Sequence, residues 1–154
     1  MDGFIKRWQF TRSETIEILN ALTDEQLQFK PEGDGWQAIY HQFGCIGRTQ
    51  LVYAKAAEKG LMDFSLFGSS EIPSKDINQT VNSILLFLED ADSTWLDAVI
   101  NNDNGVIWPD GKKAIELHIA SLAEHERLHH GQLVTYFTLA GFELPAGFKN
   151  NWAL

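Results

Sequence analysis

The stretch "KKAIELHIASLAEHERLHHGQLVTYFTLAG", Lys112 to Gly141, decides how this chain reads. It contains no proline and stops at Gly141, the residue type best suited to a left-handed position just past a helix end. On a wheel of about 100° per residue with His125 at zero, His118, His129, Gln132 and Tyr136 fall within about 40° of it. Leu122, Leu133, Leu128 and Leu139 flank that line at about 60°, 80°, −60° and −40°. The imidazoles therefore sit on the face that the leucines mark as buried. His130, near 140°, points elsewhere and is expected at the surface or an interface.

Polar groups in the middle of a buried face cost stability unless they share a ligand or a hydrogen-bond network. A lone buried histidine ordinarily needs only a hydrogen-bond partner. Here His125 and His129, on adjacent turns, present two imidazoles to one point, an arrangement suited to a metal ion. His118, Gln132 and Tyr136 share the stripe and are expected to orient those ligands or to line a pocket.

Working outward, three more helical segments precede this one. "GFIKRWQFTRSETIEILNAL" (Gly3 to Leu22) puts Ile5, Trp8, Ile16, Leu19 and Leu22 at helical spacing. A capping-box pattern, Thr23 to Gln26, and the extended "FKPEGDG" follow it. The second helix is predicted from about Asp34 to the stop at Lys59-Gly60, and the third from a Ser74 cap to about Asn101. Ile77, Val81, Ile84, Leu85 and Leu88 face inward on the third. "NNDNGVIWPDG" (Asn101 to Gly111) is turn-rich, and the fourth helix spans Lys112 to Ala140. The tail "FELPAGFKNNWAL" reads as short and irregular, with Trp152 docked on the bundle. Strand-like alternation is nearly absent. Four long helices with apolar stripes bury them against one another, so the expected fold is all-α, a four-helix bundle in one domain over residues 1–154.

The 154 residues are 44% hydrophobic and 12% aromatic, which supports a full core. Twelve Lys and Arg against 21 Asp and Glu leave a formal charge of −9. That balance argues against nucleic acid as a partner, because phosphate affinity comes largely from basic residues displacing counterions. The longest apolar run, Ile84 to Leu88, is far below the roughly 20 residues that span a bilayer, so no membrane partner is expected. Cys45 is the only cysteine and cannot form an intramolecular disulfide, which fits a reducing compartment. A soluble, cytoplasmic protein is the expectation.

His125-Glu126-Arg127-Leu128-His129 matches H-E-x-x-H, the zinc-protease pattern. A zincin also needs a substrate-holding sheet and a downstream ligand. No strand pattern precedes the motif, and Glu143 is the sole acidic residue after it. A di-iron carboxylate site would need a second E-x-x-H, which is absent, and Glu126 points about 100° away from His125. Neither reading fits. A third ligand is then sought on the second helix, where His41 and Cys45 lie one turn apart. With Ile39 at zero, Cys45 falls on the buried flank with Ala38, Val52 and Ala56, while His41 falls near −160° beside Arg48, Lys55 and Lys59.

These residues resemble the DinB-like (DinB/YfiT) superfamily of four-helix-bundle proteins. The resemblance rests on His125 and His129 followed by Gly131-Gln132, "LVTYFTLAG" and Leu144-Pro145. In that family the third ligand is usually a histidine in a setting like F-x-H-I. The corresponding Phe43-Gly44-Cys45-Ile46 puts Cys45 there, with His41 one turn earlier as the alternative ligand. The resemblance implies a divalent metal, Zn²⁺ or Ni²⁺, held by Cys45, His125 and His129, with Gln132, Tyr136 and His118 orienting ligands. It also implies a small-molecule substrate and a homodimer. The expected activity is S-transfer with a low-molecular-weight thiol or hydrolysis by metal-activated water. The alternative is a non-catalytic, stress-responsive bundle that binds a metal or a small ligand.

Overall fold

The computed structural model describes residues 1–74, 79–102 and 104–154. Four long helices carry the fold: α1 (Asp2–Asn20), α2 (Ile39–Lys59), α3 (Val81–Ile100) and α4 (Ile115–Ala140). A hairpin of β1 (Val106–Trp108) and β2 (Gly111–Lys113) precedes α4, and a short α5 (Ala146–Trp152) follows it. Helix α2 packs on α3 and α4, and α1 packs chiefly on α4. The expected all-α bundle is what forms, and no helix among the described residues is long and apolar enough to cross a membrane.

Most boundaries that moved did so for local reasons. Helix α2 begins at Ile39 rather than near Asp34, because Gly33 and Gly35 adopt φ of +102° and +88° and break any earlier helical run. Helix α3 is capped by Thr80 rather than Ser74. Thr80 and Ser83 exchange side-chain bonds to each other's backbone N–H, and Asp24 accepts from Val81 N at 2.7 Å. Ile84 and Leu88 are fully buried and Val81 and Leu85 partly so, as expected, whereas Ile77 lies outside the described residues. The Thr23–Gln26 pattern does form reciprocal bonds, at 2.9 and 3.2 Å, around a 3₁₀ turn. Gly60 and Gly141 end α2 and α4 in the left-handed conformation.

Two sequence expectations are corrected here. The turn-rich segment before α4 contains the antiparallel hairpin, pinned to the end of α2 by Ile107 N to Gly60 O (2.9 Å) and Met62 N to Ile107 O (2.8 Å). Gly105 enters it at φ +72°, where a Cβ would run into the Lys113 carbonyl. The tail is helical, not irregular. Phe148 of α5 is buried, Phe148 N donates to Glu17 Oε1 at 3.2 Å, and Trp152 Nε1 donates to Glu14 Oε1 at 2.8 Å.

The interior divides into two apolar clusters. One gathers Trp8, Val52, Trp95, Ile119 and Leu122. The other gathers Leu19, Ile46, Leu88, Leu133 and Tyr136. Between them along every long helix lies a polar level: Arg12 and Thr15 on α1, Gln50 on α2, Asp92 on α3, and Glu126 on α4. Arg12 Nη2 donates to Gln50 Oε1 at 2.8 Å and to Glu126 Oε2 at 3.1 Å, and its Nε stands 3.5 Å from Asp92 Oδ1. Gln50 Nε2 donates to Asp92 Oδ1 at 2.9 Å. Helix α4 also departs from its predicted stripe. Leu122 and Leu133 are buried, but Leu128 and Leu139 are 62% and 56% exposed. Among the described residues no helix covers their side of the wheel.

Candidate metal centre

At the polar level, α2 brings Cys45 against the histidine pair of α4. One candidate ligand atom from each of Cys45, His125 and His129 lies within 4.8 Å of the others. Bond lengths of about 2.0–2.3 Å set tetrahedral ligand atoms roughly 3.3–3.8 Å apart, so closure on one ion asks for shifts of about 1 Å. Cys45 and His125 are half-buried and His129 is buried, so the cluster is reached from the surface on one side. The two imidazoles meet edge to face with centroids 4.7 Å apart.

Hydrogen bonds fix the state of His129. The Tyr136 hydroxyl donates to Gln37 O at 2.7 Å and accepts from Gln42 Nε2 at 3.3 Å. That orients the Gln42 amide with Oε1 toward His129, where it stands 2.7 Å from Nδ1. The proton of a neutral His129 therefore sits on Nδ1, and Nε2 keeps its lone pair. Burial pushes the His129 pKa down to about 3, aided by neighbouring His125 and opposed by a hydrogen bond with the exposed Gln132. His125 is also held neutral by burial. Its Nε2 stands 3.4 Å from Thr49 Oγ1, while its Nδ1 is buried with no hydrogen-bond partner among the described residues. Two neutral imidazoles, one of them with a buried nitrogen unpartnered among the described residues, and a thiol fit a borderline-soft divalent cation.

The expected orienting residues separate. Tyr136 acts on His129 through Gln42, and Gln132 acts on it directly. His118 stands elsewhere, about 10 Å along the helix axis from His125. Its Nε2–H donates to Tyr53 O at 3.0 Å, its Nδ1 accepts from Trp108 Nε1 at 3.3 Å, and it stacks on Tyr53. It is a fully satisfied core residue. His41 lies outside the cluster and stacks on Tyr40 at 4.4 Å.

His130 is corrected from surface to core: it is 4% exposed, and its Nε2 stands 2.7 Å from Thr15 Oγ1. Glu126 does turn away from His125, but into the buried network, where it pairs with Arg12 and accepts from Thr15 Oγ1. Burial raises its pKa, and Arg12 and Thr15 oppose that rise. Gln42 and Thr49 were not singled out from sequence. Both fall within about 60° of Cys45 on the α2 wheel, which was the available signal.

Comparison with known proteins adds the relationship. The family model described as the DinB superfamily matches residues 7–133. YrdA of Bacillus subtilis (strain 168) is 26% identical over 166 residues, covering 99% of this chain and 92% of that protein. A DinB-like protein from Bacillus cereus ATCC 10987 has a similar structure, with TM-score 0.73 at 18% identity over 95% of this chain and 96% of its own. So does the DinB-like YjoA from Bacillus subtilis, with TM-score 0.67 at 16% identity over 93% and 96%.

Proposed function

The chain belongs to the DinB superfamily, and from that premise we propose that Cys45, His125 and His129 hold a divalent cation, Zn²⁺ or Ni²⁺, in a metal-dependent enzyme acting on a small molecule. The observation that carries the reading is the meeting of the Cys45 thiol with the His125 and His129 imidazoles, one ligand atom from each within 4.8 Å of the others, with His125 Nδ1 buried and unpartnered among the described residues. Three protein ligands leave a position open, as in catalytic rather than structural sites. A cation bound there would supply Lewis acidity, lowering the pKa of a coordinated thiol or water. The chain's own part is to keep both histidines neutral by burial, to aim His129 through Gln42 and Tyr136, and to leave the Cys45–His125 side open to solvent. The reaction that uses these features best is transfer of a low-molecular-weight thiol to an electrophile. The new S–C bond replaces the bond to the leaving group, and the thiol proton leaves with that group or passes to solvent. Hydrolysis at the same centre is the second use.

Metal content of protein purified without chelators tests the assignment. The expectation is one equivalent of metal, lost in Cys45→Ala and in His129→Ala but kept in His41→Ala. Metal-free wild type defeats the proposal, and loss in His41→Ala alone defeats the Cys45 assignment. Thiol transfer to an activated aryl halide by the loaded protein, against the His129→Ala variant, tests the activity. We also propose a homodimer. Leu117, Leu128 and Leu139, each 11 residues apart and all more than half exposed, form an apolar stripe along α4. Leu128→Arg should yield a monomer in sedimentation.

A further inference from the structure

On the far side of α4 from the metal centre, α4 and α5 border a half-open cavity of about 420 Å³. Its walls are mostly apolar, from Val134, Phe148 and Trp152, and its polar groups come from Arg127 and His130. Arg127 is half-buried and lies over the Trp152 ring at 4.7 Å, and its Nε is buried without a hydrogen-bond partner among the described residues. Among the described residues no carboxylate pairs with this guanidinium, on a chain whose formal charge is −9. Trp152 is held from behind its polar edge, because its Nε1 donates to Glu14 Oε1. His130 is fixed through Nε2 by Thr15, and its Nδ1 is buried with no hydrogen-bond partner among the described residues.

Gly131 supplies an independent observation. It lies inside α4, where glycine costs about 1 kcal/mol relative to alanine. A Cβ at that position would meet nothing within 4 Å. No close approach of backbone or side chain therefore requires this glycine, yet it lines the cavity. The helix gives up stability at a cavity-lining position where a side chain would extend into open space.

We propose that this cavity is a binding site for a small organic monocarboxylate with an apolar body, distinct from the metal centre. The carboxylate would take the unpaired Arg127 guanidinium, the hydrocarbon would pack among Val134, Phe148 and Trp152, and His130 Nδ1 would meet a polar atom of the ligand. An apolar pocket with a few convergent polar groups is the usual form of such a site. The pairing of carboxylate with guanidinium is charge-assisted and sets the preference for an anion.

Octanoate is the probe, titrated by calorimetry into the full chain. The expected result is one site per chain, with octan-1-ol and octylamine at least about tenfold weaker, a step of about 1.4 kcal/mol. Arg127→Met should weaken octanoate by a similar factor, and Gly131→Leu should abolish binding while the helical circular dichroism is retained. Gly131→Ala should raise the melting temperature and still weaken binding, which a merely destabilised fold would not do. Cys45→Ala should bind octanoate as wild type does, so this site and the metal centre stand or fall separately. Equal binding of octanoate and octanol, or undiminished binding by Gly131→Leu, overturns the proposal. So does absence of binding with a change of sedimentation in Gly131→Leu, which would assign the face to a second copy of the chain.

Discussion

Replacing His118 by glutamine should remove a specific part of the protein's acid sensitivity. His118 is fully buried, and both ring nitrogens are used in one neutral tautomer, Nε2–H to Tyr53 O and Nδ1 from Trp108 Nε1–H. A second proton would have to go on Nδ1, against the indole N–H that already points at it. Burial pushes the pKa from 6.5 down to about 4, with Lys113 adding to the fall and the Tyr53 carbonyl opposing it. A base whose folded pKa is lowered binds fewer protons in the native state than in the unfolded one. Its contribution to stability is therefore intact above pH 6.5 and is lost as pH falls toward 4. At about 1.4 kcal/mol per unit, the shift corresponds to roughly 3 kcal/mol, of which about 2–3 is lost between about pH 7.5 and 4.5. His118→Gln keeps a donor for Tyr53 O but cannot titrate. It should be less stable than wild type near neutrality by about 1–3 kcal/mol, through lost ring stacking and the lost acceptor for Trp108. Urea unfolding in the presence of a chelator, at several pH values, should show that gap closing by about 2–3 kcal/mol toward pH 4.5. The comparison cancels the other histidines and the carboxylates, which titrate in both proteins. A gap that stays constant within about 0.5 kcal/mol over the whole range would refute the reasoning.

Three further outcomes follow from the packing. Arg12→Met leaves the buried Glu126 and the half-buried Asp92 without their shared cation and should cost about 3–5 kcal/mol in urea unfolding at neutral pH, with much of the loss recovered by adding Glu126→Leu. Gln42→Ala removes the acceptor that orients His129 and should weaken metal binding by about 10–100-fold in competition with a chromophoric chelator, while the metal-free protein melts almost as before. Gly47→Ala drives a Cβ into the Phe87 ring where α2 crosses α3 and should cost about 1–3 kcal/mol in urea unfolding, relieved by a second change, Phe87→Leu.

The long helices were legible because their stop signals act locally. Gly60 and Gly141 end α2 and α4 whatever surrounds them, and the apolar periodicity between such signals has one helical solution. The hairpin and α5 were not legible, because each is held by distant groups. Ile107 is fixed by the backbone of Gly60 and Met62, and α5 by Glu14 and Glu17 of α1. Leu128 and Leu139 show the limit of a wheel: it reports which residues share a face but not whether a neighbour covers it. The polar level between the two cores left a trace that an apolar count passes over. Trp8, Arg12, Thr15, Leu19 and Leu22 recur at alternating steps of four and three, all buried. Arg12 and Thr15 occupy core positions of that series, where a charged residue implies a buried counter-charge on a facing helix.

That counter-charge settles what the H-E-x-x-H of α4 is for. His125 and His129 form one i, i+4 pair, and Glu126 and His130 form another, displaced by about 100° around the helix. The first pair faces α2, where Cys45, Thr49 and Gln42 meet it. The second faces α1, where Arg12 and Thr15 meet it. A general base must come within about 2.6–3.2 Å of the proton it removes. Glu126 is 0% exposed and engaged by Arg12 and Thr15, so it cannot reach a substrate at the solvent-facing side of the histidine pair. The glutamate of the motif ties α4 to α1, its histidines address α2, and the proteolytic reading of the signature fails on the direction of one side chain.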